Sequence, residues 1–357
     1  LIIGVEIMPS GNTKKRDYLF DNYKALLIAL VVIGHFIELS YKDNEFLYAL
    51  KWLVVSFHMP AFIFISGYFS KRALSLGILF QKLAIPYIIY EIIYYLVYTF
   101  IIHKPTGLYL LYPKFSLWYI QALFFWRLLA PHIRKIPHYM AISILAGLLA
   151  GCLDMPDNFL SIPRTLVFFP YFLAGSAFDR SLLVRMRTLK NRMIACAGVA
   201  AFACFLAFDP FPRNLSPKIF YGRYNYDYLD QSIIEGVICR GICYGIGFAM
   251  TLAIALLMSG RRTFYSYIGT RTMAIYLFHG LAYSYLKGCT DLLRGIDTLS
   301  GSLLLILSCL LMTAAFSIPQ LTTFTNAVSS LRLPRSLRVP PEGWDREIRA
   351  KPAFHLA

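Results

Sequence analysis

Long apolar stretches, separated by short polar connections, run through most of this 357-residue chain. Each stretch is about 17 to 25 residues long, the length that a helix needs to cross the hydrocarbon of a bilayer. The pattern predicts an all-α polytopic membrane helix bundle with about ten transmembrane helices. The predicted spans lie near residues 23–40, 47–70, 76–102, 116–133, 138–154, 161–178, 192–208, 235–258, 264–286 and 299–323.

Composition supports a membrane protein and changes the interpretation of the charge. Hydrophobic residues make up 58% of the chain, aromatic residues 16%, and the mean hydropathy is +0.57. A net charge of +16 would suggest a nucleic-acid partner in a soluble protein, but here the basic residues cluster in short loops between apolar stretches. We therefore expect the lipid bilayer as a partner and no nucleic acid.

Lysine and arginine concentrate in alternate connections, as the positive-inside rule requires of a multi-pass protein. The basic connections contain Lys14, Lys15, Arg16, Lys71, Arg72, Arg134, Lys135, Arg180, Arg185, Arg187, Lys190, Arg192, Arg261 and Arg262. This alternation predicts a protein of the inner (plasma) membrane with both termini in the cytoplasm. The predicted organisation is a cytoplasmic N-terminal segment over 1–22, a transmembrane domain over 23–325 and a basic cytoplasmic tail over 326–357.

The first predicted span contains two basic residues, Lys24 and His35. Their separation of eleven positions is close to three helical turns, which places them on one helix face about 16 Å apart along the axis. Asp21 lies one turn before Lys24 and is expected to pair with it. Glu38 lies one turn after His35 and is a candidate for holding the imidazole in one tautomer.

Ionisable groups inside membrane spans are costly, so each is a functional candidate. A neutral imidazole in a dry pocket can take a proton from a hydroxyl nucleophile, and a nearby cation can hold an anionic cosubstrate. A histidine that only hydrogen-bonds a neighbouring helix fits the spacing equally well. A proton-coupled secondary transporter is a further alternative, with a path formed by Lys24, His35, Glu91, Glu235 and Arg240. Glu91 needs a buried partner, for which Arg127 and Lys82 are the candidates.

The longest connection on the acidic side, from about 209 to 234, contains the sequence YGRYNYDYLDQ. Long loops are often functional, so Tyr224, Tyr226 and Asp227 are candidates for binding an acceptor molecule. A belt of tyrosines at the level of the lipid headgroups is the alternative. The seven cysteines are odd in number and mostly lie within apolar stretches, so neither a disulfide framework nor a metal site is predicted.

Three separated motifs resemble the acyltransferase-3 family of integral membrane O-acyltransferases, and in particular its fucose 4-O-acetylase-related branch. They are RDYLFDNYKALLIALVVIGHF, FHMPAFIFISGYFS and YIGTRTMAIYLFHG, in this order along the chain. The first span of that family carries a basic residue, ten intervening positions and a histidine, which Lys24 and His35 match. The chain differs from many relatives in the third span, FQKLAIPYIIYE, where Lys82 stands in place of a pair of arginines.

The resemblance implies transfer of an acyl group, usually acetyl from acetyl-CoA, to a hydroxyl of a glycan or glycolipid acceptor of the cell envelope. It implies that His35 is catalytic, either as the general base or as a transient acyl carrier. Lys24, with Asp21 beside it, and Lys82 are then candidates for positioning the donor. Acetyl-CoA would be a substrate, and no permanently bound cofactor is expected.

Overall fold

The computed structural model describes residues 16–155, 158–208 and 215–331, and these residues form helices and connections without any strand. An all-α fold is therefore confirmed for the described part of the chain. The helices are α1 (Tyr18–Phe36), α2 (Glu45–Tyr68), α3 (Leu76–Leu79), α4 (Ile85–Leu96), α5 (Trp118–Ile133), α6 (Tyr139–Leu149), α7 (Ile162–Ala177), α8 (Arg180–Met186), α9 (Leu189–Ala207), α10 (Ile233–Leu257), α11 (Thr272–Cys289), α12 (Leu299–Ala315) and α13 (Pro319–Ser330).

Within these residues, five helices are long and apolar enough to cross a membrane, so the chain is a multi-pass membrane protein. The number rises to seven if each of two bent helix pairs is one span, α7 with α8 and α12 with α13, which are bent by 85° and 62°. Each of the ten predicted stretches contains a helix. However, α5 and α6 are only 16 and 11 residues long, so the count of about ten spans is not confirmed.

Connections that the sequence predicts to be basic meet at one end of the bundle, where α1 begins. Asp17 pairs with Arg180 at the start of α8. The side-chain amide of Asn22 donates to the carbonyl oxygens of Ser259 and Arg261, which follow α10, at 2.8 and 2.9 Å. We call this the basic end.

The alternate connections meet at the other end, where α1 finishes, which we call the loop end. The Ser40 hydroxyl donates to the carbonyl oxygen of Leu293 at 2.8 Å, which joins the connection after α1 to the one after α11. The backbone N–H of Tyr226 donates to the carbonyl oxygen of Gly151 at 2.8 Å, which joins the loop before α10 to the end of α6. The grouping expected from the charge alternation is thus present in the fold.

Helix α1 lies inside the bundle, in contact with α2, α10, α11 and α12. Most of its residues are buried, because it is apolar on nearly all sides and has no broad polar face to turn outwards. At Gly269 the chain approaches α1 so closely that an added Cβ would lie 1.7 Å from the carbonyl oxygen of Asp21. The element that carries Lys24 and His35 is therefore held in place on several sides.

Helices α2 and α7 pack at very short range through two glycines. A Cβ added to Gly67 would lie 2.0 Å from the carbonyl oxygen of Phe172, and one added to Gly175 would lie 1.9 Å from that of Phe64. Small residues allow membrane helices to approach backbone to backbone in this way. The contact fixes α2, which packs in turn on α1.

The predicted boundaries of the membrane domain, at residues 23 and 325, lie within α1 and α13. Helix α1 begins at Tyr18, inside the segment 1–22 that was expected to precede the membrane domain, and α13 continues to Ser330, past the predicted boundary at 325. Residues 1–15 of the predicted N-terminal segment and 332–357 of the predicted tail lie outside the described residues.

Candidate active site

His35 lies in the last turn of α1, near the loop end, and its side chain is half-buried. Three rings surround the imidazole, those of Phe115, His279 and Tyr283, at centroid distances of 4.6, 5.5 and 6.0 Å. Phe115 belongs to the connection between α4 and α5, and the other two belong to α11. The site is therefore a junction of three distant parts of the sequence.

Phe115 adopts a left-handed backbone conformation, with φ of 46°. Such a conformation is uncommon for a bulky residue and persists only where the surroundings hold it. The neighbouring Lys114 supplies that hold, since Glu91 of α4 accepts hydrogen bonds from the Lys114 backbone N–H at 2.6 Å and from its ammonium group at 3.2 Å. A buried ion pair thus holds in place the connection that brings the Phe115 ring next to His35.

The predicted partners of Glu91 were wrong. The sequence pointed to Arg127 or Lys82, whereas the structure pairs Glu91 with Lys114. Both groups are buried, with side-chain exposures of 0% for Glu91 and 7% for Lys114. Lys114 lies in the connection between two predicted spans. Its position in the sequence therefore does not indicate a buried charge.

We expect Glu91→Gln to lower the free energy of unfolding by about 3 to 5 kcal/mol, because it leaves the Lys114 ammonium buried without its counter-charge. Chemical unfolding of the detergent-solubilised protein would measure the change. Adding Lys114→Met to Glu91→Gln removes the uncompensated charge and should recover part of the loss. A single glutamine variant as stable as the wild type would show that the pair does not hold the segment.

Glu38 has two partners in the structure. It pairs with the ammonium group of Lys51 on α2, and it accepts a hydrogen bond from the Tyr221 hydroxyl at 3.1 Å. Lys51 also donates to the carbonyl oxygen of Gly34 at 2.6 Å, directly beside His35. This arrangement satisfies a carbonyl group at the end of α1 and anchors that end to α2. The expected role of Glu38 as the tautomer-fixing partner of His35 stays a prediction.

Lys24 lies near the opposite, basic end of α1. Its ammonium group pairs with Asp21 at 2.9 Å, as the sequence predicted, and lies 5.5 Å from the ring centre of Phe69. Asp21 also binds the Arg16 guanidinium at 2.7 Å. Lys24 is only 7% exposed, so any molecule that contacts it must enter the bundle or displace a neighbouring side chain.

The other predicted donor and acceptor residues occupy different settings. Lys82 is half-buried on a π-helical turn, Phe80–Ala84, that leads into α4. Tyr224 stacks on Tyr228 at 4.2 Å in the loop end, and Asp227 is exposed. Tyr226, in contrast, is buried, donates to the carbonyl oxygen of Leu148 at 2.6 Å and packs under the Arg240 guanidinium.

Three residues of the site had no place in the sequence interpretation: Phe115, Lys51 and Arg164. Lys51 and Arg164 are buried cations within predicted spans, and both interact electrostatically with His35. Their position inside apolar stretches is a signal that could have found them. Phe115 carried no such signal, because its importance comes from its backbone conformation.

Among the described residues, no group of three or more His, Cys, Asp or Glu side chains is arranged to hold a metal ion.

Comparisons with known proteins agree with the motifs. A family model described as an acyltransferase domain matches residues 17–319. The nodulation protein NolL of Mesorhizobium japonicum is 41% identical over 69 residues, which cover 18% of this chain and 18% of the relative. The nodulation protein NolL of Sinorhizobium fredii is 42% identical over 65 residues, which cover 17% of this chain and 18% of the relative.

These alignments span less than a fifth of the length of either curated relative, whereas the family model spans all of the elements that form the site. No solved structure matches the chain. The match over 17–319 includes Lys24 and His35 on α1, the α2 motif and the α11 motif with His279. The chain therefore belongs to the acyltransferase-3 family.

Proposed function

We propose that the protein is an O-acetyltransferase that moves acetyl from cytoplasmic acetyl-CoA to a hydroxyl of a glycan or glycolipid of the cell envelope. The observation that carries this proposal is the placement of Lys24 and His35 on one buried helix, near its opposite ends. A cation at the basic end and an imidazole near the loop end match a donor that arrives from one side and an acceptor that arrives from the other. The positive-inside rule assigns the basic end to the cytoplasm of an inner-membrane protein.

In the direct mechanism, a neutral ring nitrogen of His35 takes the proton of the acceptor hydroxyl while its oxygen attacks the thioester carbonyl carbon. The carbon–sulfur bond breaks, the CoA thiolate leaves, and the proton on His35 returns to the thiolate. The helix dipole is negative at this end of α1 and favours the positive ring that forms in this step, whereas the nearby cations Lys51 and Arg164 oppose it. In the alternative mechanism, a nitrogen of His35 attacks the thioester carbon and the CoA thiolate leaves. The acceptor oxygen then attacks the acetyl carbon, the carbon–nitrogen bond to His35 breaks, and the hydroxyl proton passes to the thiolate.

Lys24 and Lys82 are proposed to interact with the phosphate groups of acetyl-CoA, and Asp21 is proposed to hold the Lys24 ammonium in position. At the loop end, the stacked Tyr224 and Tyr228 rings offer an apolar face to a sugar, and the exposed Asp227 offers a hydrogen-bond acceptor to its hydroxyls. Tyr226 was a candidate for the same role, but its hydroxyl is bound to Leu148. We therefore assign acceptor binding to Tyr224 and Asp227, and we assign Tyr226 to support of the loop.

The transporter alternative loses two of its five proposed residues. Glu235 is exposed and forms a capping box with Ser232 at the start of α10. Arg240 donates to the carbonyl oxygens of Gly147 and Tyr224, at 3.2 and 3.0 Å. Both side chains stabilise helix ends and loops, so their presence is explained without a proton path.

Donor binding provides a direct test. We expect Lys24→Ala to weaken binding of acetyl-CoA by about 1.5 to 3 kcal/mol, the typical contribution of a hydrogen bond to a charged group. Lys24→Arg keeps the charge and should retain part of the affinity. Calorimetry on the purified protein in detergent would measure both.

Lys104→Ala is a suitable control, because Lys104 is an exposed cation of the connection between α4 and α5 at the loop end. Its affinity for acetyl-CoA should equal that of the wild type. Unchanged affinity of Lys24→Ala would remove Lys24 from the donor site. An absence of binding by the wild type would contradict the proposed function and favour transport.

A further inference from the structure

His279 on α11 has one ring nitrogen that is satisfied and one that is not. Its side chain is 0% exposed. The Nδ1 atom lies 2.9 Å from the carbonyl oxygen of Ile275, and because a carbonyl can only accept, Nδ1 carries the proton. Nε2 is then an unprotonated acceptor, and it is buried without a hydrogen-bond partner among the described residues. Buried acceptors are rarely left unpaired, so this atom points to a functional contact.

The imidazole of His35 lies close to the imidazole of His279. The two imidazole centroids are 5.5 Å apart, with an angle of 35° between the ring planes. Phe115 contacts both rings, at 4.6 and 6.1 Å. Across this separation, two ring nitrogens that face each other lie about 3.2 Å apart, which is the long end of the hydrogen-bond range.

The packing of α11 fixes His279 at this position. A Cβ added to the adjacent Gly280 would lie 2.0 Å from the Tyr94 hydroxyl and 2.8 Å from the Phe115 ring. Helix α11 therefore packs directly on Tyr94 and Phe115 at this point, and only glycine fits there. The bond from Nδ1 to Ile275 then sets the orientation of the imidazole.

We propose that His279 is a positioning residue for His35: its Nε2 accepts the N–H of the His35 nitrogen that does not face the acceptor hydroxyl. This inference rests on the proposed function. It gives His279 the task that the sequence assigned to Glu38, whose carboxylate is bound by Lys51 and Tyr221. The result is a chain of hydrogen bonds from the Ile275 carbonyl through His279 to His35 and on to the substrate.

The proton inventory of the reaction agrees with this assignment. Before reaction, His35 carries one proton, on the nitrogen that faces His279, and its other nitrogen is free to act as base. After it takes the proton of the acceptor hydroxyl, both nitrogens carry protons, and His279 still accepts one of them. A fixed acceptor therefore selects the productive tautomer and stabilises the charged ring, as the orienting member of a catalytic triad does.

The test compares His279→Leu, which removes the acceptor, with His279→Gln, which restores one through its amide oxygen. We expect His279→Leu to lower kcat for acyl transfer by about 10- to 100-fold, by analogy with the loss seen when a group that orients a metal-binding histidine is removed. The KM for the acceptor should stay within about 2-fold. His279→Gln should recover a large part of kcat, although leucine is the better residue for apolar packing.

His132→Leu is the control, because His132 lies in the last turn of α5, before the basic connection with Arg134 and Lys135, and its side chain is exposed. Its kcat should remain close to that of the wild type. Unfolding temperatures of all variants would show whether a loss of activity follows a loss of folded protein. A leucine variant with wild-type kcat would overturn the proposal, and so would a glutamine variant as slow as leucine at equal stability. A wild-type protein without acyl transfer would instead contradict the proposed function itself.

Discussion

His35→Ala is expected to abolish transfer of acyl groups to the envelope glycan while the protein still inserts into the membrane and accumulates. The ring lies at the junction of α1, α11 and the connection that carries Phe115, packed against the rings of Phe115 and His279. Loss of a general base typically costs about 10²- to 10⁴-fold in rate, and loss of an acyl carrier costs more. Glycan-bound acyl ester and membrane protein abundance, measured together, would check the result.

His35→Gln separates catalysis from structure. Glutamine keeps polarity and hydrogen bonding, but it cannot exchange a proton near neutral pH, so it should be as inactive as alanine. If His35 were only a structural hydrogen-bonding residue, glutamine would preserve most of the activity, and alanine would lower the protein level along with the activity. An active glutamine variant would refute the assignment of the catalytic residue.

The second large effect concerns the fold. We expect Gly175→Val to lower the free energy of unfolding by more than about 3 kcal/mol, because even the first carbon of the new side chain would lie 1.9 Å from the backbone oxygen of Phe64. A backbone atom cannot rotate away as the end of a flexible side chain can. Helices α2 and α7 must then separate, and α2 carries Lys51, which anchors the end of α1 beside His35. Both stability and acyl transfer should therefore fall.

Two exposed glycines in helices provide controls for this prediction. A Cβ added to Gly198 on α9 or to Gly245 on α10 would meet nothing within 4 Å. Gly198→Ala and Gly245→Ala should leave the free energy of unfolding unchanged or raise it by up to about 1 kcal/mol, since alanine is the better helix former. Chemical unfolding in detergent would rank the three variants. Equal stability of Gly175→Val and the controls would contradict the close approach of α2 and α7.

Patterns in the sequence determined the positions of the helices, the grouping of their connections and one ion pair. Apolar stretches predicted helices in the right places, because a buried backbone in lipid must form its hydrogen bonds within one segment. The alternation of basic loops grouped the connections into two ends, since each crossing reverses the direction of the chain. The pairing of Lys24 with Asp21 followed from a separation of three residues on one helix. Each of these inferences depends on local composition or on the order of the segments along the chain.

Contacts between distant segments were decided by the tertiary structure alone. Glu91 pairs with Lys114, and Glu38 binds Lys51, because the packing of different elements brings those cations nearest. The Phe115 ring reaches His35 through a left-handed backbone that no hydrophobic pattern encodes.

The count of spans depends on tertiary structure for a related reason. Hydropathy measures how apolar a stretch is, but it does not detect where a helix bends, as between α7 and α8, or where it ends early, as in α6. Sequence patterns therefore predict the helices and place the histidine on the first of them. Only the packing of α1, α11 and the connection between α4 and α5 determined which side chains surround His35. Those elements are far apart in the chain and meet only in the folded bundle.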